Sequence, residues 1–106
     1  MRYLVSGSGG PGFASPEEGK HLLENVVHPT FEHLTALEAE GKVLGGGLPV
    51  GDRTVVFVLE ADSHQEADSI VQNLSIWPML EWEVLPLTGF GDRLAQERAL
   101  LAKMAG

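Results

Sequence analysis

The segment Thr54-Val55-Val56-Phe57-Val58-Leu59-Glu60 constrains this chain more than any other, because its β-branched and aromatic residues run without a polar interruption between Val55 and Leu59. A strand with one face in water alternates apolar and polar side chains, whereas a continuous apolar run predicts a sheet covered on both sides. At 106 residues the chain has room for one domain and one hydrophobic core, so a single domain spanning 1–106 is expected. One layer of helices covers one face. A second copy of the chain is the economical cover for the other.

A second strand carries the same message in a different pattern. Following Leu74-Ser75-Ile76-Trp77-Pro78, the residues Met79 to Leu85 alternate, sending Leu80, Trp82 and Val84 to one face and Met79, Glu81, Glu83 and Leu85 to the other. One face is bulky and belongs in a core. The other mixes apolar and acidic groups and suits an assembly surface or a pocket.

Between the strands the helix signals are explicit. Ser15-Pro16-Glu17-Glu18 supplies a capping hydroxyl, a proline at the first helical position and acids at the positive end of the dipole. Apolar positions at helical spacing continue through Leu23, Val26, Val27, Phe31, Leu34 and Leu37. Pro29 interrupts them and predicts a kink or a restart, with the helix ending at Gly41. Ser63-His64-Gln65-Glu66 has the form of a capping box for the next helix. Arg2 to Ser6 reads as a first strand, Gly7 to Phe13 as a Gly/Pro-rich loop, and Lys42 to Val50 with Thr54 to Ala61 as a hairpin turning near Gly51-Asp52-Arg53. The resulting order, β-α-β-β-α-β, predicts an α+β, ferredoxin-like sandwich. A short amphipathic helical extension over about 91–106 follows, placed either against a neighbouring subunit or as a frayed end.

Composition narrows the partners. A net charge of −8 with seven scattered cations argues against nucleic acid and anionic membranes, since phosphate binding is driven by clustered Lys and Arg. The longest wholly apolar run, Val55 to Leu59, is far short of the roughly 20 residues that span a bilayer. No cysteine is present, which removes a disulfide scaffold, a thiolate nucleophile and a Cys-ligated metal. With no leader sequence visible, a cytoplasmic location is the default expectation.

Over Leu74 to Leu87 the pattern Leu-x-x-Trp-Pro-x-Leu-Glu-x-Glu-Val-x-Pro-Leu resembles muconolactone isomerase and the isomerase-like members of the dimeric α/β-barrel group. The likeness extends through Glu40-Gly41 and the strand from Val55 to Asp62, covering roughly residues 30–90. It implies a dimeric α/β barrel and a small enzyme that moves a proton on a small organic acid or lactone. The chain departs from the family at Lys42 to Val50, where Gly45-Gly46-Gly47 stands in place of a Trp, Arg and His-rich stretch. No catalytic role carries over onto those positions.

The candidate groups therefore come from the chain itself. His21 and His28 lie seven residues apart and nearly share a helical azimuth, with Glu24 and Glu32 near the same side. Two turns separate them by about 10 Å, too far for two ligands of one ion, so no metal or cofactor is expected. Solvated helix face and acid/base role stay open for both. Glu81 and Glu83 share a strand face and, in a closed cavity, become a general acid or base; on an interface they pair with Arg53 or Lys42 instead. Gly45, Gly46 and Gly47 require a bulge, a close backbone approach or a pocket floor. His21, His28, Arg53, Glu81 and Glu83 are the candidate catalytic residues of an isomerase-like enzyme. A noncatalytic ligand-binding or assembly module and a cofactor-free oxygenase are the alternatives, all three as a homo-oligomer taking a small organic acid or aromatic ligand.

Overall fold

A computed structural model describes residues 1–10 and 12–106; Pro11, within the expected Gly7 to Phe13 loop, lies outside the described residues. Among the described residues four strands form one antiparallel sheet: β1 (Arg2–Ser8), β2 (Val43–Gly47), β3 (Val55–Glu60) and β4 (Glu81–Leu87), in the spatial order β2-β3-β1-β4. Between β1 and β2 run α1 (Pro16–Leu22), a π-helical turn (Leu23–Val27) and α2 (His28–Ala39); α3 (His64–Gln72) and a 3₁₀ turn (Trp77–Met79) lead into β4. The last element is α4 (Phe90–Ala105). This is the ferredoxin-like α+β arrangement, with a C-terminal helix added.

The starts and stops follow from local chemistry. The Ser15 hydroxyl accepts the Glu18 N–H at 3.1 Å and opens α1, and the Ser63 hydroxyl accepts the Glu66 N–H at 3.1 Å to open α3. The Glu66 carboxylate reaches back to the Asp62 N–H at 3.1 Å, completing a variant of the capping box. α2 stops in a Schellman arrangement, with Gly41 at φ 79° while the Lys42 N–H reaches the Leu37 carbonyl at 2.9 Å and the Gly41 N–H reaches that of Glu38 at 3.1 Å.

Register decides which side chains meet the helices. Tyr3, Val5 and Gly7 of β1 stand opposite Leu59, Phe57 and Val55 of β3, and opposite Pro86, Val84 and Trp82 of β4. Tyr3, Val5, Val55, Phe57 and Leu59 are buried beneath the helices with Leu37, Ala67, Val71 and Leu74. Burial of each large apolar side chain is worth about 1.5–3 kcal/mol. Tyr3 is 1% exposed, and its hydroxyl lies 2.6 Å from His64 Nδ1, which ties β1 to the start of α3.

Among the described residues no helix covers the other face of the sheet. Leu4 and Ser6 of β1 and Val56 and Val58 of β3 are half-buried there, alongside exposed Glu81, Glu83, Leu85 and Leu87 of β4. The alternation expected of β4 holds from Glu81 onward. β2 is shorter than the expected Lys42 to Val50 strand: it ends at Gly47, ahead of the turn in which the Asp52 N–H reaches the Pro49 carbonyl, and a bulge at Leu44 shifts its register between Val43 and Gly45. Gly46 explains the glycine run in part: a Cβ there would press on the Val56 carbonyl oxygen and lie 2.7 Å from Phe57 Cα.

Candidate functional site

The helical layer does not seal against the end of the sheet where β1 finishes and β3 begins. A cleft of about 220 Å³ opens there, walled by Leu22, Leu23, Val27 and Phe31 from the helices and by Ile76, Met79 and Leu80 from the segment entering β4. Val55 lies at its base, and Phe13, Leu48, Asp52 and Arg53 come from the loops at its mouth. Among the described lining residues the ionisable ones are Asp52 and Arg53.

The helical wall owes its shape to the π turn. The His28 N–H donates to the Leu23 carbonyl five residues back instead of four. Pro29 follows at once and lacks an N–H, and its ring would collide with the carbonyl four residues earlier in a straight α-helix. The widened turn relieves that collision, and α2 restarts at His28 as the proline predicts. Leu23 and Val27, which α-helical counting assigns to a core stripe, line the cleft at the two ends of this turn.

Asp52 and Arg53 are held by the hairpin between β2 and β3. Asp52 Oδ1 accepts the Arg53 N–H at 2.6 Å and the Thr54 N–H at 3.3 Å, so the carboxylate folds its own turn. The Asp52 N–H donates to the Pro49 carbonyl at 3.0 Å. The Arg53 guanidinium carbon lies 5.6 Å from the Phe13 ring centroid, a cation–π distance. Phe13 in turn packs over Gly19, where a Cβ would come within 3.0 Å of its ring. The chain Gly19, Phe13, Arg53 thus positions a permanent cation at the mouth of an apolar cleft. A guanidinium is suited to a carboxylate or an enolate oxygen there.

The other sequence candidates are dispersed. His21 is exposed on α1, its Nδ1 3.2 Å from Asn25 Nδ2. His28 is exposed and lines a separate shallow groove with Phe13, Pro16, Leu23 and Glu24. The π turn between the two histidines breaks the common azimuth expected from α-helical counting. Among the described residues no group of three or more His, Asp or Glu gathers into a metal site. Glu81 and Glu83 stand opposite Ser8 and Ser6 on the helix-free face, across the sheet from the cleft. Of the five candidates, Arg53 lines the cleft. Asp52 was missed because Gly-Asp-Arg reads as a connector, although an acid and a base side by side between two apolar strands is the one local signal that marks it. A smaller hollow of about 130 Å³ beside β2 includes Gly46 and Gly47 in its lining, while the bulge of this strand falls at Leu44.

Solved structures share this architecture. Muconolactone isomerase superposes with a TM-score of 0.68 at 19% identity, over 84% of this chain and 90% of that one. The chain has the muconolactone isomerase fold. A second neighbour with the same fold is the 5-chloro-2-hydroxyhydroquinone dehydrochlorinase of Burkholderia phenoliruptrix, in complex with 2,5-dihydroxybenzoquinone, with a TM-score of 0.57 at 21% identity over 83% of this chain and 94% of that one. No protein-family model and no curated protein matches the chain. The muconolactone isomerase-like core is thus a shared scaffold, and the reaction must be argued from the cleft. Among the described residues no helix is long and apolar enough to cross a membrane.

Proposed function

We propose that this chain is a small-molecule enzyme that moves a proton on a small organic acid or lactone held in the cleft between its helices and its sheet. The observation that carries the reading is the placement of Asp52 and Arg53 side by side at the mouth of an otherwise apolar cleft. The substrate's carbon skeleton sits against Leu22, Val27, Phe31 and Met79. Its carbonyl or carboxylate oxygen faces Arg53. Asp52 takes a proton from the carbon beside the carbonyl, the C–H electron pair moves onto oxygen as an enolate opposite the guanidinium, and the proton returns to a different carbon. Neighbours that act on a lactone and on a chlorinated hydroxyquinol support a small oxygenated ring as the substrate class.

We infer also that two chains meet through the helix-free face, where half-buried Leu4, Val56 and Val58 and exposed Leu85 and Leu87 form an apolar surface that no helix among the described residues covers. That assembly closes the barrel implied by the resemblance. It leaves His21 and His28 outside the cleft and gives Glu81 and Glu83 an interface position.

A second reading has its own observation. Asp52 Oδ1 is already engaged by two backbone N–H groups, as expected of a turn-forming residue in a noncatalytic binding module. Deuterium exchange separates the two. Muconolactone, related lactones, small aromatic acids and hydroxyquinols are incubated with the protein in D₂O and followed by NMR, with oxygen uptake recorded alongside. Solvent deuterium entering a ligand carbon, lost in Asp52→Asn and Arg53→Gln, supports the enzyme. Saturable binding with no exchange selects the module, and oxygen uptake with a hydroxyquinol selects an oxygenase.

A further inference from the structure

Gly19 is the fourth of the seven residues of α1, and it is the buried one. Within a helix glycine is the least favourable residue after proline, so its presence there needs a reason. The reason is the ring of Phe13: a Cβ on residue 19 would lie 3.0 Å from Cδ2 and 3.2 Å from Cγ of that ring. Phe13 is nevertheless 47% exposed and stands outside the buried core. A helix that forgoes a side chain to seat a half-exposed ring points to a task for the ring other than core packing.

Its position describes that task. Phe13 lines the cleft of about 220 Å³ on one side and, on the other, the open groove of about 410 Å³ that holds Pro16, Lys20, Glu24 and His28. Leu23 is the other described residue common to both linings, so these two side chains form the wall between the two spaces. The ring is held from both sides. Gly19 receives it from the groove, and the Arg53 guanidinium carbon lies 5.6 Å from its centroid on the side of the cleft.

We propose that Phe13, backed by Leu23, is the specificity-determining residue of the cleft and restricts it to acids built on a single ring. The proposal rests on the reading of the cleft as the substrate site with Arg53 as its anion anchor. An apolar cavity of about 150 Å³ holds one benzene ring, so a cleft of about 220 Å³ holds one ring with its substituents. A carboxylate at Arg53 brings the acid-bearing edge of that ring beside Phe13. A second ring fused at this edge meets the Phe13 side chain, and the space that would receive it lies beyond the wall. Selection then works by collision with the larger acid, not by extra attraction for the smaller one.

Calorimetric titration of the full chain with phenylacetate and with 1-naphthylacetate tests it. The wild-type chain should hold phenylacetate at least about tenfold more tightly than the two-ring acid. Phe13→Ala should lower that ratio at least about tenfold, and Leu23→Ala, which opens the same wall from the π turn, should lower it in the same direction. Arg53→Gln should weaken both acids by a similar factor and leave the ratio in place. A wild-type chain that holds the two-ring acid as tightly as phenylacetate, or a ratio that neither Phe13→Ala nor Leu23→Ala changes, overturns the wall. An Arg53→Gln chain that binds both acids as tightly as the wild type overturns the anchor and leaves the wall standing. Binding of neither acid by the wild-type chain overturns both.

Discussion

The Thr30 hydroxyl accepts the Ile76 N–H at 3.0 Å while donating to the Val26 carbonyl at 2.8 Å, so one side chain joins the π turn to the segment that enters β4. Thr30 is 1% exposed, and both of its partners lie beside or within the walls of the cleft. Thr30→Val keeps the volume and removes the acceptor, leaving a sheltered N–H without a partner. It should cost about 1–3 kcal/mol in urea unfolding. Thr30→Ser, which keeps both hydrogen bonds, should recover most of that loss.

Gly7 and Trp82 are cross-strand partners, and the indole covers the glycine so closely that a Cβ would lie 2.6 Å from Cζ3. The same ring donates its Nε1–H to the Trp77 carbonyl at 2.9 Å, which fixes the turn ahead of β4. Gly7→Ala should therefore displace Trp82 and cost about 1–3 kcal/mol. With Trp77 and Trp82 as the two tryptophans of the chain, a shift in intrinsic fluorescence should accompany the change.

Gly46 has less room to yield, because the obstacles around its missing side chain include the backbone of β3. Its φ of 153° adds a conformation that L side chains rarely adopt. Gly46→Ala should cost about 3 kcal/mol or more, as a sum of strain and overpacking. Gly45→Ala and Gly47→Ala, with open space at the Cβ position, should change stability far less. Thermal unfolding of the three variants in parallel checks the ranking.

Asp52 has a structural role in its turn, and two substitutions separate it from the chemical role proposed above. Asp52→Asn keeps an Oδ1 acceptor for the Arg53 and Thr54 N–H groups, so stability should change by less than about 1 kcal/mol while proton exchange on a bound ligand falls at least about a hundredfold. Asp52→Ala should add a loss of about 0.5–2 kcal/mol, in the range of a lost capping interaction. Arg53→Gln should weaken a carboxylate ligand by about ten- to a hundredfold, with smaller loss for a neutral analogue. Calorimetric titration and NMR exchange on the same samples supply both readouts.

The elements were legible because their signals are local. Ser15 and Ser63 announce helix starts three residues before Glu18 and Glu66, and the uninterrupted Val55 to Leu59 run specifies a strand buried on one face and apolar on the other. The candidate site was less legible because it is assembled from distant parts of the chain: Gly10 and Phe13, Leu22 to Phe31, Leu48 to Val55, and Ile76 to Leu80. No periodicity links these stretches. Leu23 and Val27 look like core positions until the π turn carries them to the cleft, and the register sets Glu81 and Glu83 on the opposite face of the sheet from it. Pro29 predicted the restart of the helix, but not the wider turn that accommodates it.

β1 is flanked on one side by β3 and on the other by β4, so both of its edges wait for strands made later. During synthesis Arg2–Ser8 emerges long before Val55–Glu60 and longer still before Glu81–Leu87. The nascent chain therefore carries an apolar strand with open hydrogen-bonding edges through most of its elongation, a template for pairing with another unfinished chain. A slow run of codons ahead of residue 81 would prolong that exposure. In this molecule the first strand has both of its neighbours in the sheet only once the last strand has been made.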